Sequence, residues 1–177
     1  MKDKFLTLVI LLAIQFLCSN LWAQSDPPLR IELPTAQDAE DYHFSLMGKE
    51  GVVVFYEGLQ LNKDTTEWVL IQYDTNLQKL CTFNIHLPPQ AAFRQSFFSQ
   101  GKLYLLYQEV VGKKESPRTF ISVVDVAAKT EQLHVIQNLP KFEGARLKAV
   151  DGYAVFSFIY SDTYWIYFYD TLMPIRH

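Results

Sequence analysis

A glycine that opens an apolar run, and a second apolar run that closes on aspartate, recur three times along this chain. Gly51-Val-Val-Val-Phe-Tyr returns as Gly101-Lys-Leu-Tyr-Leu-Leu-Tyr and as Gly152-Tyr-Ala-Val-Phe-Ser-Phe. The companion runs are Trp68-Val-Leu-Ile-Gln-Tyr-Asp74, Thr119-Phe-Ile-Ser-Val-Val-Asp125 and Tyr164-Trp-Ile-Tyr-Phe-Tyr-Asp170. The glycines are 50 and 51 residues apart, and the first two units also end alike, on Leu87-Pro88 and Leu139-Pro140. A unit of this size cannot bury its own apolar face, so self-similarity at a fixed period specifies a stack of like units.

Within each unit the apolar residues come in short runs rich in Val, Ile, Phe, Tyr and Trp, broken by Gly, Asp, Asn or Pro, which is the pattern of strands and turns. The first unit offers His43 to Met47, Val52 to Tyr56, Trp68 to Tyr73 and Lys79 to Ile85. The second offers Arg94 to Phe98, Lys102 to Tyr107, Thr119 to Val124 and Gln132 to Ile136. The third offers Ala145 to Val150, Tyr153 to Tyr160 and Tyr164 to Tyr169. No segment after residue 25 keeps a helical period long enough to compete.

The N-terminal stretch has a different character. Lys2 and Lys4 precede the apolar stretch Phe5 to Ile14, and the small residue Ala23 stands before Gln24-Ser25. This is the layout of a secretory signal peptide over residues 1–23, with a destination that is secreted, periplasmic or at the cell surface. An uncleaved anchor is the alternative, although the run is short of the roughly 20 residues that span a bilayer. No second apolar run of spanning length follows. Cleavage after Ala23 leaves 154 residues, enough for one domain, and takes the formal charge from -3 to -4. That mild acidic balance lacks the basic stripe expected of a nucleic-acid partner. Cys18 leaves with the signal, so Cys81 remains alone and no internal disulfide can form. Cys81 shares strand parity with Phe83 and Ile85, the pattern of a buried, unreactive thiol.

Four antiparallel strands per unit of about 50 residues, in tandem, resemble the blades of a β-propeller. The resemblance covers residues 41–177 and is to the architecture: the Gly-His and Trp-Asp pairs of Trp-Asp-repeat propellers and the paired glycine of kelch repeats are missing. It implies an all-β fold of tandem four-stranded antiparallel blades in a partial β-propeller. The blades are 41–90, 91–141 and an incomplete 142–177, after a linker at 24–40 that carries the alternating segment Leu29-Arg-Ile-Glu-Leu33 as a closing strand. Ordinary propellers have four to eight blades. The count therefore implies the N-terminal part of a longer propeller, with two copies closing a six-bladed ring as the alternative, and open blade edges that favour self-association.

Specific catalytic signatures are missing: no Gly-x-Ser-x-Gly, His-Glu-x-x-His, Cys-x-x-Cys or phosphate-cradling glycine loop occurs. His43, His86, His134 and His177 never occupy matching repeat positions, so neither a shared metal site nor a cofactor is expected. Asp74, Asp125 and Asp170 read as turn residues whose carboxylates accept amide hydrogens. The aromatic runs Tyr104 to Tyr107 and Tyr164 to Tyr169 alternate between faces and read as packing. In an up-and-down sheet the loop between the second and third strands lies at the same end as the connection to the next sheet. Glu57 to Glu67 and Gln108 to Arg118 should therefore share an end with Leu87 to Ala92 and Asn138 to Gly144. Candidate binding residues on that end are Asp64, Glu67, Lys113, Lys114 and Arg118. The expected function is that of an exported binding or scaffold domain for a protein, glycan or small solute. A secreted propeller enzyme, a hydrolase or lyase with its catalytic residues outside this chain, is the rival.

Overall fold

The computed structural model describes residues 29–33, 42–112 and 116–172, with only the backbone at Glu143. Contacts divide the chain into Met1–Ile31 and Glu32–His177. All strands of the described residues belong to the second unit, and none of the described residues is in an α-helix. The first sheet holds β1 (Tyr42–Leu46), β2 (Val52–Asn62), β3 (Thr65–Tyr73) and β4 (Lys79–Leu87). The second holds β5 (Ala91–Ser99), β6 (Lys102–Glu109), β7 (Thr119–Asp125) and β8 (Thr130–Ile136), and the third β9 (Glu143–Val150), β10 (Tyr153–Tyr160) and β11 (Thr163–Asp170). Each sheet is an antiparallel meander in sequence order. Every strand expected from the apolar runs is present.

The sheets pack face to face through two apolar cores. In one, Phe55, Trp68 and Leu70 of the first sheet meet Leu103, Leu105 and Tyr107 of the second, with Trp68 and Tyr107 edge to face at 4.9 Å. In the other, Tyr104, Leu106 and Ile121 of the second sheet meet Leu147, Phe156 and Phe158 of the third. The middle sheet is thus covered on both faces, which is why every residue of β6 from Leu103 to Glu109 is buried. Tyr104 and Tyr107 lie in different cores, as alternation requires. By contrast β11, the counterpart of the buried β7, is largely exposed.

The repeat is more regular than its glycines suggest. Lys102 pairs with Asp125 and Tyr153 with Asp170, whereas Val52 pairs with Tyr73. Continuing the first ladder by one residue sets Gly51 opposite Asp74. The positions facing the three aspartates are therefore 51, 102 and 153, a constant period of 51, and Gly51 is not the counterpart of Gly101 and Gly152. The glycines differ in role as well. A Cβ on Gly51 (φ +98°) would collide with the Tyr73 carbonyl, while one on Gly101 (φ +75°) would meet nothing within 4 Å. A slip of one residue moves side chains to the other face of a sheet, so aligning the glycines would have turned the first sheet inside out.

Two further expectations are corrected. Leu29–Leu33 carries no strand, because alternation assigns side chains to faces but cannot supply the ladder partner that a strand needs. The segment Glu57 to Glu67 is a continuation of β2 and β3 rather than a long loop, closed by a turn at Lys63-Asp64 whose Asp64 amide donates to Asn62 Oδ1 at 2.8 Å. Polar residues there mark a solvated hairpin, and shifts of register at Glu57/Gln60 and Gln60/Asn62 twist it away from the regular ladder. Residues 1–28, which hold the expected signal peptide, residues 34–41 and the chain beyond residue 172 lie outside the described residues.

Candidate functional site

The sheets have two distinct ends. At one, the aspartates shape tight turns: Asp74 Oδ1 accepts from the amides of Asn76 and Gln78 at 2.8 Å, Asp125 Oδ1 from Ala128 at 2.8 Å and Asp170 Oδ1 from Leu172 at 2.9 Å. Their carboxylates are engaged by the chain itself, which is the turn role read from the sequence.

The opposite end carries the longer connections, and the chain ties them together. The amide of Val110, just after β6, donates to the carbonyl of Gln90 between the first two sheets at 2.8 Å. The Gln108 side chain donates to Thr119 Oγ1 at 3.2 Å and to the Pro140 carbonyl at 3.0 Å, and accepts from the Phe142 amide at 3.1 Å. One buried carboxamide so fastens the second sheet to the segment entering the third. The shared end of these connections, expected from strand parity, is realised.

Arg118 stands at this end but is not free for a ligand. Its guanidinium donates to Glu109 Oε1 through Nε at 2.9 Å and through a second, shorter contact from its terminal nitrogen, and its amide donates to Glu109 Oε2 at 3.0 Å. The same guanidinium lies 5.5 Å from the centre of the Phe120 ring. Hydrogen bonding to Arg118 holds the buried Glu109 carboxyl below the ordinary carboxylate range, against the opposing effect of its own burial. The pair clamps the mouth of the β6–β7 connection.

Glu67 lies in β3, where Oε2 accepts from Asn84 Nδ2 across the strands at 2.8 Å. Asp64 is at the tip of the β2–β3 hairpin, strongly exposed, 3.9 Å from Lys63 in an ion pair that water screens. Lys113 and Lys114 lie outside the described residues. The three candidates among the described residues do not converge: Asp64 is presented to solvent, while Glu67 and Arg118 serve the sheets.

The structure adds three residues that charge-based reading passed over. Leu59 and Leu61 on the hairpin are 67% and 51% exposed, and Val110 on the neighbouring connection is 56% exposed. Their sequence signal was the alternation Leu59-Gln60-Leu61-Asn62, which continues the strand beyond the last core residue.

Between the sheets several polar groups are buried under strain of solvation. Tyr107 is fully buried, its hydroxyl and the Trp68 indole nitrogen find no hydrogen-bond partner, and burial raises the phenol well above its ordinary pKa, with Glu131 and Glu57 adding to the effect. Glu131 is raised by burial too, although Ser122 Oγ donates to it at 2.7 Å. Burial lowers His134, whose ring meets Tyr169 edge to face at 5.4 Å. Cys81 is half-buried, with its thiol 3.4 Å from Gln72 Oε1. Among the described residues no three His, Cys, Asp or Glu side chains come together as a metal site. Comparisons with protein-family models, curated proteins and solved structures find no match.

Proposed function

We propose that this chain is an exported binding or scaffold module, part of a β-propeller, that engages a protein partner through the β2–β3 hairpin and the β6–β7 connection. The observation that carries the reading is the exposure of Leu59 and Leu61 on a hairpin extending beyond the core, flanked by Gln60, Lys63 and Asp64. Isolated exposed leucines need no explanation, but Leu59 and Leu61 share one hairpin, at the end of the sheets that also carries the exposed Val110, and polar residues rim them. The export part of the proposal rests on Lys2, Lys4, the apolar stretch after them and Ala23. The propeller part rests on three like antiparallel meanders whose positions facing Asp74, Asp125 and Asp170 recur every 51 residues.

The test is a binding screen of the purified chain against peptide, glycan and small-solute panels, repeated with Leu59→Ser/Leu61→Ser. A peptide or protein hit lost in the double variant, at unchanged melting temperature, supports the proposal. A ligand bound equally well by the variant, or a glycan or solute as the sole hit, overturns the choice of face or of ligand class. N-terminal sequencing of the exported protein checks cleavage after Ala23.

A further inference from the structure

The aspartate end of the second sheet differs from its two counterparts. The position facing the strand-end aspartate is Gly51 in the first sheet and Tyr153 in the third, but Lys102 in the second. Lys102 and Asp125 lie directly opposite each other on neighbouring strands, and Asp125 faces Thr130 on its other side. Two residues inward Val123 faces Gln132, where the first sheet has Gln72 facing Cys81. Opposed residues share a face, so alternation gathers these five side chains on one surface. They line a cleft of about 80 Å³ whose apolar member is the buried Val123. A single water needs roughly 10–15 Å³ of such space, so the cleft has room for a small solute.

The two charges in the cleft do not neutralise each other. Among the described residues neither Lys102 nor Asp125 is in an ion pair. Asp125 is held in place by the turn instead, with Oδ1 accepting the Ala128 amide at 2.8 Å, which leaves Oδ2 for a ligand. The row on β8 continues from Thr130 and Gln132 to His134, buried against Tyr169 of the third sheet, whose Nε2 finds no partner. A simple anion at Lys102 would be repelled by Asp125, and a simple cation at Asp125 by Lys102. A ligand carrying both charges a few ångströms apart satisfies the two at once, and Thr130 and Gln132 can each donate or accept beside them. We infer that the cleft binds a small zwitterion, an α-amino acid, with its carboxylate on Lys102 and its ammonium on Asp125. The aliphatic Val123 and the small volume suit a side chain no larger than methyl. This cleft lies at the end of the sheets opposite the β2–β3 hairpin and is independent of the hairpin reading. A solute held here bears on the cleft, and the hairpin is judged by its protein or peptide hit.

The experiment is an NMR titration of the isotope-labelled, purified chain with glycine and L-alanine, and with acetate and methylammonium as probes that carry one charge each. Glycine is expected to give saturable shifts at the amides of Lys102, Asp125 and Gln132 with a Kd of about 1–10 mM, and either single-charge probe to bind at least about tenfold more weakly. Lys102→Met and Asp125→Asn should each weaken glycine binding at least about tenfold at an unchanged melting temperature, since the asparagine keeps an acceptor for the Ala128 amide. Should Asp125→Asn melt early, Gln132→Leu takes its place, with a change in the same direction expected. The absence of saturable shifts with both glycine and alanine overturns the inference. So does acetate or methylammonium binding as tightly as glycine, which would make the cleft a site for a single charge. Glycine binding insensitive to Lys102→Met overturns it as well, by putting the site elsewhere.

Discussion

The side-chain carbonyl of Gln108 accepts the backbone amide of Phe142 at 3.1 Å, joining a residue buried in the second sheet to the chain that enters the third. The donor side of the same carboxamide reaches Thr119 and Pro140. Replacing Gln108 with Leu keeps the volume but leaves the Phe142 amide and the Pro140 carbonyl without this partner. A loss of about 2–4 kcal/mol is expected, from two or three buried groups left unsatisfied. Urea denaturation checks it, and a change under 1 kcal/mol would mean that other groups take over the bonds.

Gly51 and Gly101 look alike in sequence and should respond differently to alanine. Gly101→Ala meets open space and bears only the cost of positive φ, roughly 1–2 kcal/mol. Gly51→Ala adds a collision with the Tyr73 carbonyl, a backbone atom that cannot swing aside, so a loss above about 4 kcal/mol or failure to fold is expected. Thermal melts of the two variants decide whether the 51-residue register is right.

Arg118 is expected to matter for stability rather than for binding. Removing it as Arg118→Met strands a nearly buried Glu109, at a cost of about 2 kcal/mol, below the range for a fully buried pair because the guanidinium is half-exposed. Glu109 is held below its ordinary pKa, so its contribution is present above the unfolded carboxylate pKa and lost as pH falls through the folded value. The variant should therefore show a smaller fall in stability across the acid range, measured as urea midpoints from pH 6 downward.

Glu131 and His134 should give pH effects of opposite sign. Burial raises Glu131, so its favourable state is the protonated one, and stability is lost as pH rises through its folded pKa. Glu131→Gln keeps an acceptor for Ser122 and should stabilise the fold at neutral pH by about 1 kcal/mol or less, given solvent screening. Burial lowers His134, so stability is lost as pH falls below about 6.5, the unfolded value, toward the folded one. In His134→Phe that acid-side loss should disappear; melting curves between pH 5 and 8 separate the two.

Much of the fold could be read from residue order. The β-branched and aromatic runs broken by Gly, Asp, Asn and Pro marked the eleven strands of the described residues, and Asp74, Asp125 and Asp170 proved to be the turn residues that their position implied. Strand parity alone placed the connections at a shared end. The candidate site was less legible. Arg118 and Glu109 lie nine residues apart on either side of a connection, and a loop arginine looks solvated until the hairpin returns it to its carboxylate. Leu59 and Leu61 fell in a stretch expected to be a loop, and only the ladder between β2 and β3 shows them carried on a hairpin past the core.

The sequence by itself determined where the strands of the three sheets lie and their meander order, though not the extent of the β2–β3 hairpin, because alternation, turn chemistry and short connections are local. Only the tertiary structure decided the register, the partners of Gln108 and Glu109, and which apolar faces are covered. Those depend on which strand lies opposite which residue, and a side-chain period of two leaves glycines one residue out of step indistinguishable until the ladder is built.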